Sequence, residues 1–186
     1  MSDEIFYIYG ANGTWIEKKP GEIKDNNELH NWVDSGKKYF CLSWQRVMPR
    51  DLPKGQGFIM YLRYNKRHTR TREWKGKIEF KLHVKSWSTE KPQCSSDSIY
   101  FTNHARDTTR AHRVWFIVDK IERVKKTDGE YLTLDDFQHA EDPDRQLACC
   151  LLAAIPPVHR ISEELVIETY AHDGTTVTCT PNNQPA

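Results

Sequence analysis

The chain has 186 residues, 38% hydrophobic and 28% charged, with a net charge of +1, so it is long enough for one domain to bury a core without staples. Its five cysteines, Cys41, Cys94, Cys149, Cys150 and Cys179, are an odd number with no CxxC spacing, which suggests neither a zinc knuckle nor a disulfide framework and points to a reducing compartment. No apolar stretch approaches the ~20 residues that span a bilayer, and the first ten residues carry no signal-peptide pattern, so the expectation is a soluble intracellular protein, cytoplasmic or nuclear, with no membrane partner.

The first predicted strand is Ile5 to Tyr9, ended by Gly10 and the Asn12-Gly13 turn. A helix follows, capped by Asp25 or Asn26, with Leu29, Trp32 and Val33 at helical spacing and Gly36 as its stop, so Trp32 belongs to the core. Tyr39 to Trp44 reads as the second strand, and Pro49 to Gly57 as a connection ending in a turn. Phe58 to Tyr64 is apolar on both faces apart from Arg63, as in a central strand.

In GKIEFKLHVKSW, residues 76 to 87, strict alternation puts Ile78, Phe80, Leu82 and Val84 on one face and Lys77, Glu79, Lys81, His83 and Lys85 on the other. Trp87 has the parity of the charged face. Ile99-Tyr100-Phe101 and a largely buried strand from Val114 to Val124 come next, with Trp115 inside its apolar run. Leu132 to Phe137, capped by Thr133, reads as a short helix, and Arg145 to Ile155 as a small apolar helix stopped by Pro156-Pro157. Leu165 to Tyr170 and Thr175 to Cys179 form a closing hairpin around Asp173-Gly174, and residues 181 to 186 are a loose tail to the single domain of residues 1 to 186.

The near-zero net charge conceals a strong asymmetry. Residues 46 to 113 hold sixteen Lys and Arg against six acids, whereas residues 1 to 45 carry −2 and residues 114 to 186 carry −7. A polyanion is the expected partner of the surface that the middle segment builds. The densest part is RYNKRHTRTREWK, where Arg63, Lys66, Arg67, Arg70, Arg72 and Lys75 face one acid, Glu73, and phosphate contact is the expected use of that loop. Lys81 and Lys85 extend the cationic row along the next strand.

The order of elements resembles the PUA-like superfamily, specifically its EVE and YTH branches, on IFYIYG, NNELHNWVDSG, YFCLSW, GFIMYLRY and GKIEFKLHVKSW. SIYFTNHARDTTRAHRVWFIVDKIERV, continuing to YLTLDDF, is similar to the tyrosine-rich turn, polar loop and Arg-Trp strand opening of EVE domains. The similarity covers roughly residues 4 to 138, and the basic loop at 63 to 75 is longer than the family's usual turn. The resemblance implies an α+β fold, a small β-barrel of about five to six strands flanked by short helices. It also implies a flipped or single-stranded base, often a methylated one, held between aromatic walls. Unstacking a base costs a few kcal/mol, and stacking on aromatics at ~1–3 kcal/mol per base offsets it.

Trp44 is then the first candidate for a wall, with Ser43 as a nearby polar contact and Trp87 and Tyr100 as further walls. Phe101 points away from Tyr100 if the stretch is extended. Asp97 or Asn103 would read a base edge. No residue is singled out as catalytic, no metal or cofactor motif is present, and the His104, Asp107 and His112 group is the one acid–base alternative. The chain therefore reads as a binding module for DNA or RNA, with an effector subunit or fused domain as a further partner. The alternatives are an ASCH-like hydrolase acting on a nucleotide or RNA, and an interaction or viral structural module docking an acidic partner.

Overall fold

The computed structural model describes residues 4–11, 28–45, 47, 49–64, 76–93, 98–147, 154–163 and 166–179. Its strands are β1 (Phe6–Ala11), β2 (Tyr39–Trp44), β3 (Phe58–Tyr64), β4 (Ile78–Ser88), β5 (Ile99–Phe101), β6 (Val114–Lys125), β7 (Phe137–His139), β8 (Ala154–Arg160), β9 (Val166–Ala171) and β10 (Gly174–Cys179). Two helices, α1 (Glu28–Ser35) and α2 (Asn103–Arg106), accompany them. The predicted β2 and β3 have these same bounds, and Gly36 closes α1 in the left-handed region at φ 67°, where a glycine carries no Cβ penalty. The α1 caps expected at Asp25 or Asn26 lie outside the described residues. Trp32 is fully buried, as its spacing required.

All ten strands belong to one mixed sheet, in which β7, β8, β1, β3, β4 and β6 are successive neighbours. β3, β4 and β6 stand side by side, as their apolar runs predicted. At β6 the sheet forks. Residues Val114 to Val118 pair with β2, which carries β5, whereas Ile121 to Lys125 pair with β9, which carries β10. The expected closed barrel of five to six strands is therefore corrected to an open ten-stranded sheet, because the two arms of the fork diverge and, among the described residues, no ladder joins either arm back to β7.

The sheet is nevertheless strongly curled. β1 and β6 are three ladder steps apart, about 14 Å in a flat sheet, yet the Tyr9 and Phe116 ring centroids lie 6.4 Å apart. Across the same hollow the Trp44 indole N–H donates to the Gly10 carbonyl at 3.2 Å, linking β2 to β1. The concave side holds the main core, with Tyr9, Trp32, Phe40, Met60, Leu82 and Phe116 among its buried residues. A second cluster on the convex side includes Phe6, Ile8, Tyr61, Ile78 and Val124, and α2 covers a third around Cys41, Ile99 and Trp115.

β4 leaves strict alternation twice. Between Leu62 and Arg63 the β3–β4 register shifts so that Ile78 opposes Arg63 and Glu79 has no cross-strand partner there. Ile78 consequently joins the convex cluster, while Phe80, Leu82 and Val84 stay in the concave core. Further along, Val84 pairs with Val118 and Ser86 with Ile117, which leaves Lys85 and Asp119 out of the β4–β6 register. These β-bulges reset side-chain parity. Trp87 therefore sits opposite Phe116 and packs against the concave core rather than on the charged face.

Two of the expected helices take other forms. Thr133 does cap the following residues in a capping box, but they make a single 3-10 turn, Leu134–Asp136, that leads directly into β7. The helix expected over Arg145 to Ile155 is absent from its described part, where residues 154 and 155 open β8. Residues 148–153 lie outside the described residues. Prolines cannot donate to a ladder, and the Pro156-Pro157 pair falls where the β1–β8 register shifts, between Ile155 and Val158. The Pro157 carbonyl still accepts from the Ala140 N–H at 2.9 Å.

Candidate nucleic-acid interface

The curl gathers aromatic rings around Phe116. Trp44 and Phe58 meet it edge-on at 5.3 and 6.3 Å, Tyr9 lies tilted to it at 6.4 Å, and Trp87 is its cross-strand neighbour. Trp44 and Trp87 are both half-buried, and each spends its indole N–H on a backbone carbonyl, Gly10 for Trp44 and Pro53 at 2.6 Å for Trp87. Two of the three expected aromatic walls thus come together. Tyr100 does not join them: it stacks on Phe40 with rings 5.8 Å apart, and Phe40 precedes Trp44 by four residues of β2, about 13 Å. Its hydroxyl donates to the buried Glu28 carboxylate at 2.7 Å, and burial, then Glu28, pushes the phenol up to about 12.

Ser43 faces the opposite side of β2, beside its cross-strand partner Trp115, and is 6% exposed. Its hydroxyl lies 2.8 Å from His112 Nδ1, while His112 Nε2 lies 2.8 Å from the Asp107 carbonyl. A carbonyl can only accept, so Nε2 carries a proton and, in the neutral ring, Nδ1 accepts from Ser43. His104 packs edge-on against His112 at 5.5 Å, and burial, then the neighbouring Arg110 and His112, lower its pKa. Asn103 is exposed at the start of α2, where its side-chain oxygen accepts from Arg106.

Of the cations expected to meet phosphate, Arg63 is 6% exposed, and Lys81 is placed beside Glu122 at 3.7 Å and over the Phe6 ring. Lys85 is exposed and donates to the Tyr39 hydroxyl at 2.8 Å. Lys66, Arg67, Arg70, Arg72, Lys75 and Asp97 lie outside the described residues. Among the described residues, no cluster of His, Cys, Asp or Glu could hold a metal ion, and no helix is long and apolar enough to cross a membrane.

The second bulge of β4 opens onto a cleft of about 600 Å³ at the end of the curl, within the size range of small-ligand sites. Tyr7 and Phe58, an edge-to-face pair 5.3 Å apart, form one wall, and Ile5 and Ile59 add apolar surface. Pro53, the residue that accepts from the Trp87 indole, lies on the side toward the Phe116 cluster. The rim is polar, with Gln56, Lys85, His83, Glu4 and Asp119. Gly57 belongs to the lining for a steric reason: a Cβ there would come within 2.9 Å of the Val84 carbonyl oxygen.

No family model, curated protein or solved structure matches the chain. The site is therefore read from its own geometry.

Tyr7 and Phe58 are the residues that sequence reasoning missed. They look like ordinary strand aromatics, and the mark that would have pointed to them is the break in alternation beside them. After Val84, Ser86 occupies an inward parity and Trp87 an outward one. In β6, Asp119 and Lys120 interrupt an apolar run with two polar residues in succession. Each is the trace of a bulge.

Proposed function

We propose that this protein is a nucleic-acid-binding module that takes a single base, modified by methylation, into the cleft at the end of its curled sheet. The cleft carries this reading. Its aromatic pair offers a π-face and an edge to a base, and Ile5 and Ile59 offer apolar surface to a methyl group. The rim combines acceptors, Glu4 and Asp119, suited to exocyclic amino groups, with Lys85 for a phosphate. The excess of cations over residues 46 to 113, and the likeness of the element order to EVE and YTH domains of the PUA-like superfamily, support the same reading. The fold proposed is an opened, forked variant of that barrel. Arg67, Arg70 and Arg72 are the phosphate contacts assigned to the basic loop.

The test is titration of the protein against matched oligonucleotides with and without methylated bases at fixed salt. Tyr7→Leu and Gln56→Ala should each weaken the preferred base by about 1–3 kcal/mol while leaving salt-sensitive binding in place. Replacing Arg67, Arg70 and Arg72 by Ala should weaken all sequences alike and flatten the salt slope by about 0.7–0.9 per lost contact. Equal affinity of the wild type for every oligonucleotide overturns base selectivity.

A hydrolase is the second reading, favoured by the Ser43–His112 contact, which places a hydroxyl against an imidazole that could take its proton. Turnover of an oligonucleotide that is lost in Ser43→Ala would establish it.

A further inference from the structure

We infer that the outer face of β2 and β5 is a track for an extended single strand of nucleic acid, entered from the cleft at Lys85. This inference rests on the proposed base-binding role of the cleft and assigns the strand's path away from it.

Two half-exposed rings lie on this face, Tyr39 on β2 and Phe101 on β5. In the parallel register Phe101 stands beside Cys41, two residues beyond Tyr39, which puts the two rings roughly 8 Å apart along and across the pleat. Each ring is covered by an exposed lysine. Lys91 Nζ is 5.0 Å from the Phe101 centroid, and Lys85 and Lys38 are 4.9 and 5.5 Å from that of Tyr39.

A lysine resting on a ring is a mobile cover. Its stem is flexible and its charge stays solvated, and an exposed cation–π contact is weaker than the stacking of a base on the same ring. When a strand arrives, the ammonium can move from ring to phosphate and free the π-face for the base, so the charge and the ring are both used. The acids near this face are few: Asp119 interacts electrostatically with Lys85, Glu90 is next to Lys91, and Asp107 is held by Arg110 at 3.0 Å. Duplex keeps its base faces stacked inside, so it cannot use the rings, and the partner this face fits is a single strand. Lys85 lies both on the cleft rim and on Tyr39, which makes the two surfaces continuous.

The test uses fluorescently labelled ten-nucleotide oligo-dT and oligo-U, a duplex of equal length, and a single methylated mononucleoside. The wild type should bind the single strands about tenfold or more tighter than the duplex. Tyr39→Leu should weaken single-strand binding roughly tenfold, while Tyr39→Phe, which keeps the ring and loses the hydroxyl held by Lys85, should stay close to wild type. The Lys38→Ala, Lys91→Ala double variant should lower the salt slope by about 1.4, for two phosphate contacts. Equal binding of single strand and duplex, or no effect of Tyr39→Leu, overturns the track. The mononucleoside reports on the cleft alone: if it still binds when the track fails, the base-binding reading survives, and if it never binds while the strand does, that reading falls and the track stands.

Discussion

The two bulges of β4 start from the same event, one residue stepping out of register, and end in opposite results. At Glu79 the displaced side chain is drawn inward and sealed. The Tyr64 hydroxyl donates to Glu79 Oε2 at 2.8 Å, Arg123 Nε lies 3.2 Å from Oε1, and the carboxylate is 6% exposed. At Lys85 the displaced residue is left outside, opposite an equally displaced Asp119, and the space beside it is the cleft. A buried charge demands partners, so the first bulge fixes its surroundings, whereas an exposed one leaves its neighbours free to meet something else. Irregularity in a strand is thus not in itself a sign of function; what matters is whether the local groups have already satisfied one another.

The largest expected effect lies at the sealed end. Glu79→Ala should destabilise the protein by about 3–5 kcal/mol, because it removes the carboxylate that the Tyr64 hydroxyl and the Arg123 guanidinium hold in a largely buried setting. Urea unfolding measures it, and a loss below about 1 kcal/mol would show that the two bulges do not differ as described. At the open end, Gly57→Ala should cost about 1–3 kcal/mol, since the new Cβ meets a backbone carbonyl that cannot rotate away. The same variant should close the cleft and weaken binding of a mononucleoside.

Between the two bulges, Glu122 gives the comparison a pH dependence. Burial alone would raise its pKa, but His83 at 3.3 Å, then Lys81 and Lys120, outweigh it and bring the carboxyl from 4.5 to about 2. A depressed carboxyl stabilises the fold at pH above its unfolded value, and that stabilisation fades as pH falls from about 4.5 through 2. Discounted for solvent reaching the lysines, the contribution is about 1–2 kcal/mol. Thermal melts from pH 6 to 2 should show a shallower acid decline in Glu122→Gln than in the wild type. The smallest effect is expected for Trp87→Phe, which keeps a ring but loses the bond to the Pro53 carbonyl, about 0.5–1.5 kcal/mol. Its readout is faster hydrogen exchange confined to residues 52–57.

The elements that were legible in the sequence are those whose pattern is local. β2, β3 and the Asp173-Gly174 hairpin follow from runs of apolar residues and turn chemistry over a few positions. The bulges were not read, because a one-residue slip changes the partner of every later side chain while altering composition hardly at all. Trp87 shows the consequence: its parity with the charged face holds only if the ladder is continuous through Lys85, and the bulge there leaves the ring against the core edge. At Ala154 and Ile155, an apolar run before a proline pair looks the same whether a helix ends there or a strand absorbs the prolines. As for the candidate site, Trp44 and Trp87 meet at Phe116 without lining the cleft, which depends on β1, β3, β4 and β6 meeting at one end of a curl. No spacing within a single segment encodes such a meeting.

The position of β1 sets a schedule for synthesis. On one side it pairs in parallel with β3, and on the other it pairs with β8, where Phe6 meets Val158. β1 must therefore wait for β8, nearly 150 residues further along the chain, before both its edges are occupied. Contacts of such long sequence separation are slow to form. Until they do, the nascent chain presents FYIYGA with one bare edge, and an exposed aromatic edge recruits other strands. Cellular yield should accordingly depend on how well that edge is shielded until β8 arrives to cover it.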